Sequence, residues 1–421
     1  MAGRKVHYAW VILVACIAFY AVPVGVIGNC QGVYVQPIMD EFGWSRTQTT
    51  LYLIVQQLVA AATAPFAGKV LARFNPRWVL TATSVVFGAN AMACALYTQP
   101  WQWVVYGAVY GVCAGFILFL ALPTIVNIWF RKRNGLAIGV ASAFIGVFAA
   151  VCSPITQVII DASSWQTARV VMSVACMLLS ALPTALLLRR SPESMGVLPY
   201  GANPERAERA KEGSQGAKAS VTLVEQGATA SQARRSPALY LLILVAGGFG
   251  FCATLVQHLS AYCSTGELGA MVGAYAVSIA MVGSIVGKPG FGWLADKVGA
   301  VRAGITSSVF GAAGVAIILV SGANAALFFL GTALFGLGYS ALSIVSPLLG
   351  SQGFGSAHFS EIYSWVSSGI SLLSALAGFA LSFLYDVTGS FTADFVLVIA
   401  IYVLCAILCP VVVRSARKLW V

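Results

Sequence analysis

Twelve stretches rich in apolar residues follow one another along the 421-residue chain. They lie near positions 8–33, 46–68, 77–96, 101–129, 135–159, 166–188, 238–263, 269–294, 303–321, 324–350, 358–384 and 391–413. Most are long enough, and poor enough in charge, to cross a hydrocarbon layer about 30 Å thick as an α-helix. They are too long for the strands of a membrane barrel. The polar breaks are short, with one exception. Residues 189–237 carry Arg189, Arg190, Arg206, Arg209, Lys211, Lys218, Arg234 and Arg235 among Ala, Gly, Ser and Gln. So little apolar surface cannot offset the entropy of folding, and a mostly disordered linker is expected there. The pattern predicts an all-α membrane protein of twelve transmembrane helices. They form two six-helix halves, 1–189 and 238–421, joined by a linker at 190–237.

Composition agrees with this reading. Only 9% of residues are charged and 59% are hydrophobic, where a soluble domain carries about 25% charged residues. The net charge of +11 would suggest nucleic acid in a soluble protein, but here the basic residues follow membrane topology. With the N-terminus inside, the basic residues at the N-terminus, 69–77, 131–133, the linker, 297–302 and 414–418 all face the cytoplasm. Arg46 and Arg169 fall outside and Lys288 falls within a helix. This bias predicts a multi-pass protein of the plasma or bacterial inner membrane with both termini cytoplasmic. Arg4 and Lys5 precede an uncleaved first helix rather than a signal peptide. The ten cysteines show no CxxC pair and read as buried thiols.

Lys288 is the one charged residue that the pattern places deep in the membrane. It lies eight residues before the polar Asp296-Lys297, roughly 12 Å along a helix. A cation there is costly unless it faces a polar cavity, which makes it a functional candidate. Snorkelling to the surface would need an uncomfortable reach at that depth. An internal repeat surrounds it. Pro65-Phe-Ala-Gly68-Lys-Val-Leu-Ala-Arg73 recurs as Pro289-Gly-Phe-Gly292-Trp-Leu-Ala-Asp296-Lys297 at an offset of 224 residues, each copy after the second span of its half. Duplicated six-helix units of this kind occur in transporters that bind cargo between the repeats.

The Gly-x-Leu-Ala-Asp-Lys-x-Gly run at 292–299 resembles the loop signature of the major facilitator superfamily, with Ala72 replacing the Asp in the first copy. Three further stretches narrow the resemblance. They are Glu41-Phe-Gly-Trp-Ser-Arg46, Pro123-Thr-Ile-Val-Asn-Ile-Trp-Phe-Arg-Lys-Arg-Asn-Gly-Leu-Ala-Ile-Gly139, and Phe354-Gly355 with Asp386-Val-Thr-Gly-Ser-Phe391. Together they are similar to the monocarboxylate transporters and the oxalate/formate antiporters. That resemblance implies the major facilitator fold and proton-linked or exchange transport of small carboxylates. It also implies a cation, usually Arg, in the eighth helix to meet the substrate carboxylate, and Lys288 matches that position. The family's Asp four residues earlier is Ser284 here, and the second cation of the oxalate exchanger in helix eleven has no counterpart. A single cation implies a monoanion.

The remaining candidates are polar residues in helices. Asn29 lies in the first, Gln56 and Gln57 in the second, and Tyr339 in the tenth. Each is weighed as a substrate contact against ordinary helix packing. Asp296 and Lys297 are read as a conformational latch, with the start of the fifth helix near Asn134 and Gly135 as its partner. No metal cluster, cofactor motif or catalytic triad stands out, so no cofactor and no enzymatic activity are expected. The expected function is secondary active transport of a small organic anion, a monocarboxylate, by alternating access. Coupling is by proton symport or by anion exchange. All thirteen Asp and Glu map to loops or helix ends, so no intramembrane carboxylate is expected to carry a proton. The alternatives are efflux of a neutral or amphipathic hydrophobic compound, and a receptor without transport.

Overall fold

A computed structural model describes residues 7–202, 227–259, 262–263 and 268–420. Eleven of its helices are long and apolar enough to span a membrane. The first is α1 (Tyr8–Phe42), followed by α2 (Arg46–Arg73) and α3 (Pro76–Ala93). The twelfth span, α4, is helical over Pro100–Phe116 and Leu122–Trp129 with a π-helical turn at Ile117–Ala121 between them. Then come α5 (Asn134–Ala162) and α6 (Trp165–Leu187). The second half holds α7 (Pro237–Thr254), α8 (Ala270–Val298), α9 (Ala300–Val320), α10 (Ala325–Phe354), α11 (Phe359–Thr388) and α12 (Thr392–Arg417).

Local chemistry sets the helix ends. Ser45 and Gln48 form a capping box at the start of α2, while the side chains of Asn75, Ser164 and Asn324 cap α3, α6 and α10. Pro76, Pro100 and Pro237 occupy first-turn positions, where no amide donor is needed. The first helix outruns its expected end near residue 33. It passes through π-helical turns at Ile17–Ala21 and Pro23–Gly28, then continues as regular helix over Gln31–Phe42 until Gly43 ends it in the left-handed region at φ 66°. The polar Asn29 and Gln31 lie beside this irregular turn.

Each half packs its own six helices, and the halves meet along α5 against α8 and α2 against α11. The loops carrying 69–77, 131–133, 189–190 and 297–302 share one side with the last turn of α12. This side is called the basic face below. The linker departs from expectation at both ends. Tyr200 is bridged to Phe130, its N–H donates to the Trp129 oxygen at 2.9 Å, and its ring packs against Trp10 and Phe130. At the other end Ala228 donates to Phe354 at 2.9 Å, and a short helix over Ala230–Arg235 leads into α7. Backbone pairing and aromatic contact with the helical body order these ends, although the linker has no core of its own. The central part of the expected disordered linker, 203–226, lies outside the described residues.

Candidate functional site

Lys288 follows directly on a very tight helix–helix contact. A Cβ on Gly139 of α5 would sit 2.4 Å from the Lys288 carbonyl oxygen, and one on Gly135 would sit 2.4 Å from the Gly292 oxygen. Glycine at both positions lets the two backbones touch. Pro289 lacks an amide hydrogen, which frees one carbonyl of the preceding turn of α8. The Lys288 side chain is 6% exposed, and its Nζ donates to the main-chain oxygen of Ser142 in α5 at 3.2 Å. A helical carbonyl has a second lone pair, so it can accept this bond without leaving its own helix.

Around that bond stands a group of hydroxyls from both halves. The Tyr20 phenol of α1 lies beside the hydroxyls of Ser142 and Ser343 and near Tyr339. Gly287 packs on Leu337 and Ser340, which fixes Tyr339 of α10 at the level of Lys288. Tyr363 of α11 is buried near Tyr20 and stacks on Phe359 with ring centroids 5.1 Å apart. The hydroxyl of Ser284, four residues before Lys288 on α8, is buried without a hydrogen-bond partner. Among the described residues no carboxylate pairs with Lys288. The arrangement is an ammonium with unfilled donors, set among hydroxyls at the seam between two six-helix bodies. It can bind an anionic group and surround it with O–H donors.

The other sequence candidates divide. Tyr339 shares the level of Lys288. Asn29 is exposed on α1, nine residues beyond Tyr20, roughly 13 Å farther from the basic face if the helix rose regularly. Gln56 and Gln57 also lie above Lys288, since α2 meets α11 through Ser368 Oγ on the Ala61 oxygen at 2.5 Å and through Gly68 against Ser364. The Gln56 backbone abuts Gly111 of α4, and its Oε1 is buried without a partner. The structure therefore joins Lys288 to Tyr339 but not to Asn29, Gln56 or Gln57.

Asp296 reaches across the seam. Its Oδ1 accepts the Gly135 N–H at 2.9 Å and its Oδ2 the Leu136 N–H at 2.8 Å. These are free amides at the start of α5, where the helix dipole favours a negative charge. Arg133, just before them, adopts a left-handed conformation at φ 62°, the one such non-glycine among the described residues. Lys297 does not cross: its Nζ lies 4.0 Å from the centroid of the Trp293 ring on its own helix.

Two buried charged residues add to the sequence map. Arg169, placed outside by that map, is 1% exposed inside the first half. Its Nη2 donates to Tyr106 Oη at 3.2 Å, and its guanidinium lies 4.5 Å from the Tyr34 ring centroid. Lys288 is therefore not the only enclosed cation. Tyr34 on the outer extension of α1, an extension the apolar pattern did not include, and Tyr106 of α4 enclose it. Asp394, in the first turn of α12, is buried with both oxygens unpartnered. Its position at a helix end is legible from the chain, but its enclosure is not. Of the residues missed beside Lys288, Tyr20 had a signal, being a phenol inside an apolar run. Ser142 had none, because it acts through its backbone.

A family model described as the Major Facilitator Superfamily matches residues 11–274. The chain belongs to this superfamily. Membership places it among transporters, not enzymes. The fold is also similar to that of the E. coli fucose:proton symporter FucP, with a TM-score of 0.71 at 14% identity over 96% of this chain and 99% of that one. The proton:xylose symporter XylE gives 0.73 at 13% identity over 98% of each chain. A curated relative, "MFS-type transporter 1" of Ophiocordyceps sp. (strain BCC 1869), is 24% identical over 117 residues, 27% of this chain and 26% of that protein. The chain thus matches about a quarter of the length of that relative.

Proposed function

We propose that this superfamily member is a secondary transporter of a small monocarboxylate, with Lys288 as the counter-charge of the cargo. The observation that carries the reading is the Lys288 ammonium, 6% exposed at the seam and held by one carbonyl oxygen. Leaving a buried charge unpaired costs several kcal/mol, and an arriving carboxylate offsets much of that cost. The resemblance to monocarboxylate transporters and oxalate/formate antiporters points to the same cargo class. In this reading the basic face is cytoplasmic, as the distribution of Lys and Arg favours.

The hydrogen bonds described between the halves run from the level of Lys288 to the basic face. They include Lys288–Ser142, Asp296 on Gly135 and Leu136, Ser368–Ala61, and Arg131 Nη1 on Ser356 Oγ at 3.2 Å. Such a state is closed inside and receives cargo from the opposite face. The carboxylate displaces the Ser142 oxygen from Lys288, Tyr20 and Tyr339 donate to its second oxygen, and the α5–α8 contact loosens. The halves then rock about the site. The domain boundaries 1–189, 190–237 and 238–421 are those of the two rocking bodies and their tether. Charge balance is kept by proton symport or by exchange, since no carboxylate among the described residues pairs with Lys288 to neutralise it when empty.

The structural neighbours are titled as sugar:proton symporters, and a sugar is the cargo to be set against a monocarboxylate. A buried cation with the hydroxyls of Tyr20 and Ser142 nearby and, among the described residues, no carboxylate paired with it favours the anion. Purified protein in liposomes tests this. Uptake of labelled monocarboxylates, with an imposed pH gradient or with internal anion, is expected to exceed uptake of hexoses, pentoses and lipophilic drugs. Hexose or drug uptake without carboxylate uptake would refute the reading. Stimulation by the proton gradient identifies symport, and stimulation by internal anion identifies exchange.

A further inference from the structure

A cavity of about 400 Å³ opens on the basic face, away from Lys288 and between the two halves. One wall comes from the first half, with Phe74 after α2, Asn127 and Arg131 at the end of α4, and Arg190 beyond α6. The other wall comes from the turn between α10 and α11, with Ser356, and from the first turn of α11, with Phe359 and Ser360. Its volume is within the range of small-molecule sites, roughly 300–1,000 Å³.

Its chemistry is selective. Asn127 is 6% exposed, its Oδ1 accepts from Asn134 Nδ2 at 3.1 Å, and its Nδ2 is buried without a partner. A buried donor left unfilled carries a desolvation cost of about 1–3 kcal/mol, which an acceptor in the cavity would remove. Two guanidinium groups, Arg131 and Arg190, line the same space, and Arg131 already holds Ser356 across the seam. Guanidinium forks match the paired oxygens of phosphate better than a single ammonium would. Ser360 adds a hydroxyl, while Phe74 and Phe359 give an apolar floor. Glu193, at the rim, is the carboxylate among the lining residues and disfavours anions that lack further contacts.

We propose that this cavity is a second ligand site, distinct from the Lys288 site, which binds a phosphate monoester carrying a small apolar group. Because its walls belong to different halves, occupancy favours the arrangement in which the basic face is closed. A ligand that binds one conformation only shifts the population toward it by its differential affinity. The phosphate has two possible sources, a soluble phosphate ester or the headgroup of a phosphatidic-acid-like lipid at the membrane edge.

The test uses the full chain in nanodiscs. Propyl phosphate is added to protein in phosphatidylcholine discs, and in a second arm the discs contain phosphatidic acid with no soluble ester. Binding is expected to raise the thermal midpoint by about 2 °C or more and to slow amide exchange at 360–368, where α11 meets α2. Arg190→Gln and Asn127→Leu should each remove both effects, while Lys288→Gln should keep them, which separates this site from the cargo site. A response in the first arm assigns the site to a soluble ester, and a response in the second alone assigns it to lipid. No response in either arm, or an equal response in Arg190→Gln and Asn127→Leu, overturns the proposal.

Discussion

The ammonium of Lys288 in α8 donates to the main-chain oxygen of Ser142 in α5, 3.2 Å away, and this bond joins the two halves. It uses one of three donors of the ammonium. The position therefore holds a charge that the resting fold does not fully satisfy, a poor choice for stability and a good one for binding an anion.

Replacing Lys288 by Met tests that trade. An unpaired buried charge exchanged for an apolar side chain of similar length is neutral or stabilising. The thermal midpoint of Lys288→Met should stay level or rise, while carboxylate uptake falls at least about 100-fold, the equivalent of some 2.7 kcal/mol of lost stabilisation. A large drop in midpoint would show instead that Lys288 is a structural pillar.

Asp296→Asn should loosen the basic face. The change keeps the shape but removes the charge that two α5 amides receive at 2.9 and 2.8 Å. The expected loss is about 1–2 kcal/mol of closure. It is read as faster amide exchange over 135–140, with the exchange of α9 and α12 unchanged. Exchange at 135–140 as slow as in the parent protein would exclude the latch.

Gly139→Val should separate α5 from α8. Even the first added carbon would lie 2.4 Å from the Lys288 carbonyl oxygen, and backbone cannot yield there as a side chain can. A loss of about 2–3 kcal/mol is expected, measured as denaturation in detergent. Gly290, whose Cβ would meet nothing within 4 Å, is the control, and Gly290→Ala should be close to neutral.

Arg169 and Tyr106 form a pair suited to a double-mutant cycle. Tyr106→Phe removes the hydroxyl that accepts from Arg169 Nη2 at 3.2 Å and should cost about 1–3 kcal/mol by stranding a buried donor. Arg169→Met should cost less, and adding Tyr106→Phe to it should cost little more. Additive losses would mean that the two side chains do not interact.

The candidate site was partly legible before any coordinates. Lys288 stood out because a charge inside an apolar helix is rare and expensive. Tyr339 was legible as a phenol in a glycine-rich helix. Ser142 was not, because its contribution is a backbone oxygen that every residue type carries. The enclosure of Arg169 was not legible, because a position near a helix end does not say what other helices bring over it. The side chains of Tyr34 and Tyr106, brought over it by other helices, decide its burial.

By itself the sequence determined a membrane-spanning helical protein of two related halves, since apolar length, charge placement and an internal repeat are properties of the chain alone. It also determined that one cation would lie deep in the eighth span. Only the tertiary structure decided what that cation meets. Close approach at Gly139, the hydroxyls of Tyr20 and Ser343, the reach of Asp296 to the α5 amides and the cavity at Asn127 all depend on helices distant in sequence. Such contacts depend on packing geometry, which no periodicity within one helix encodes.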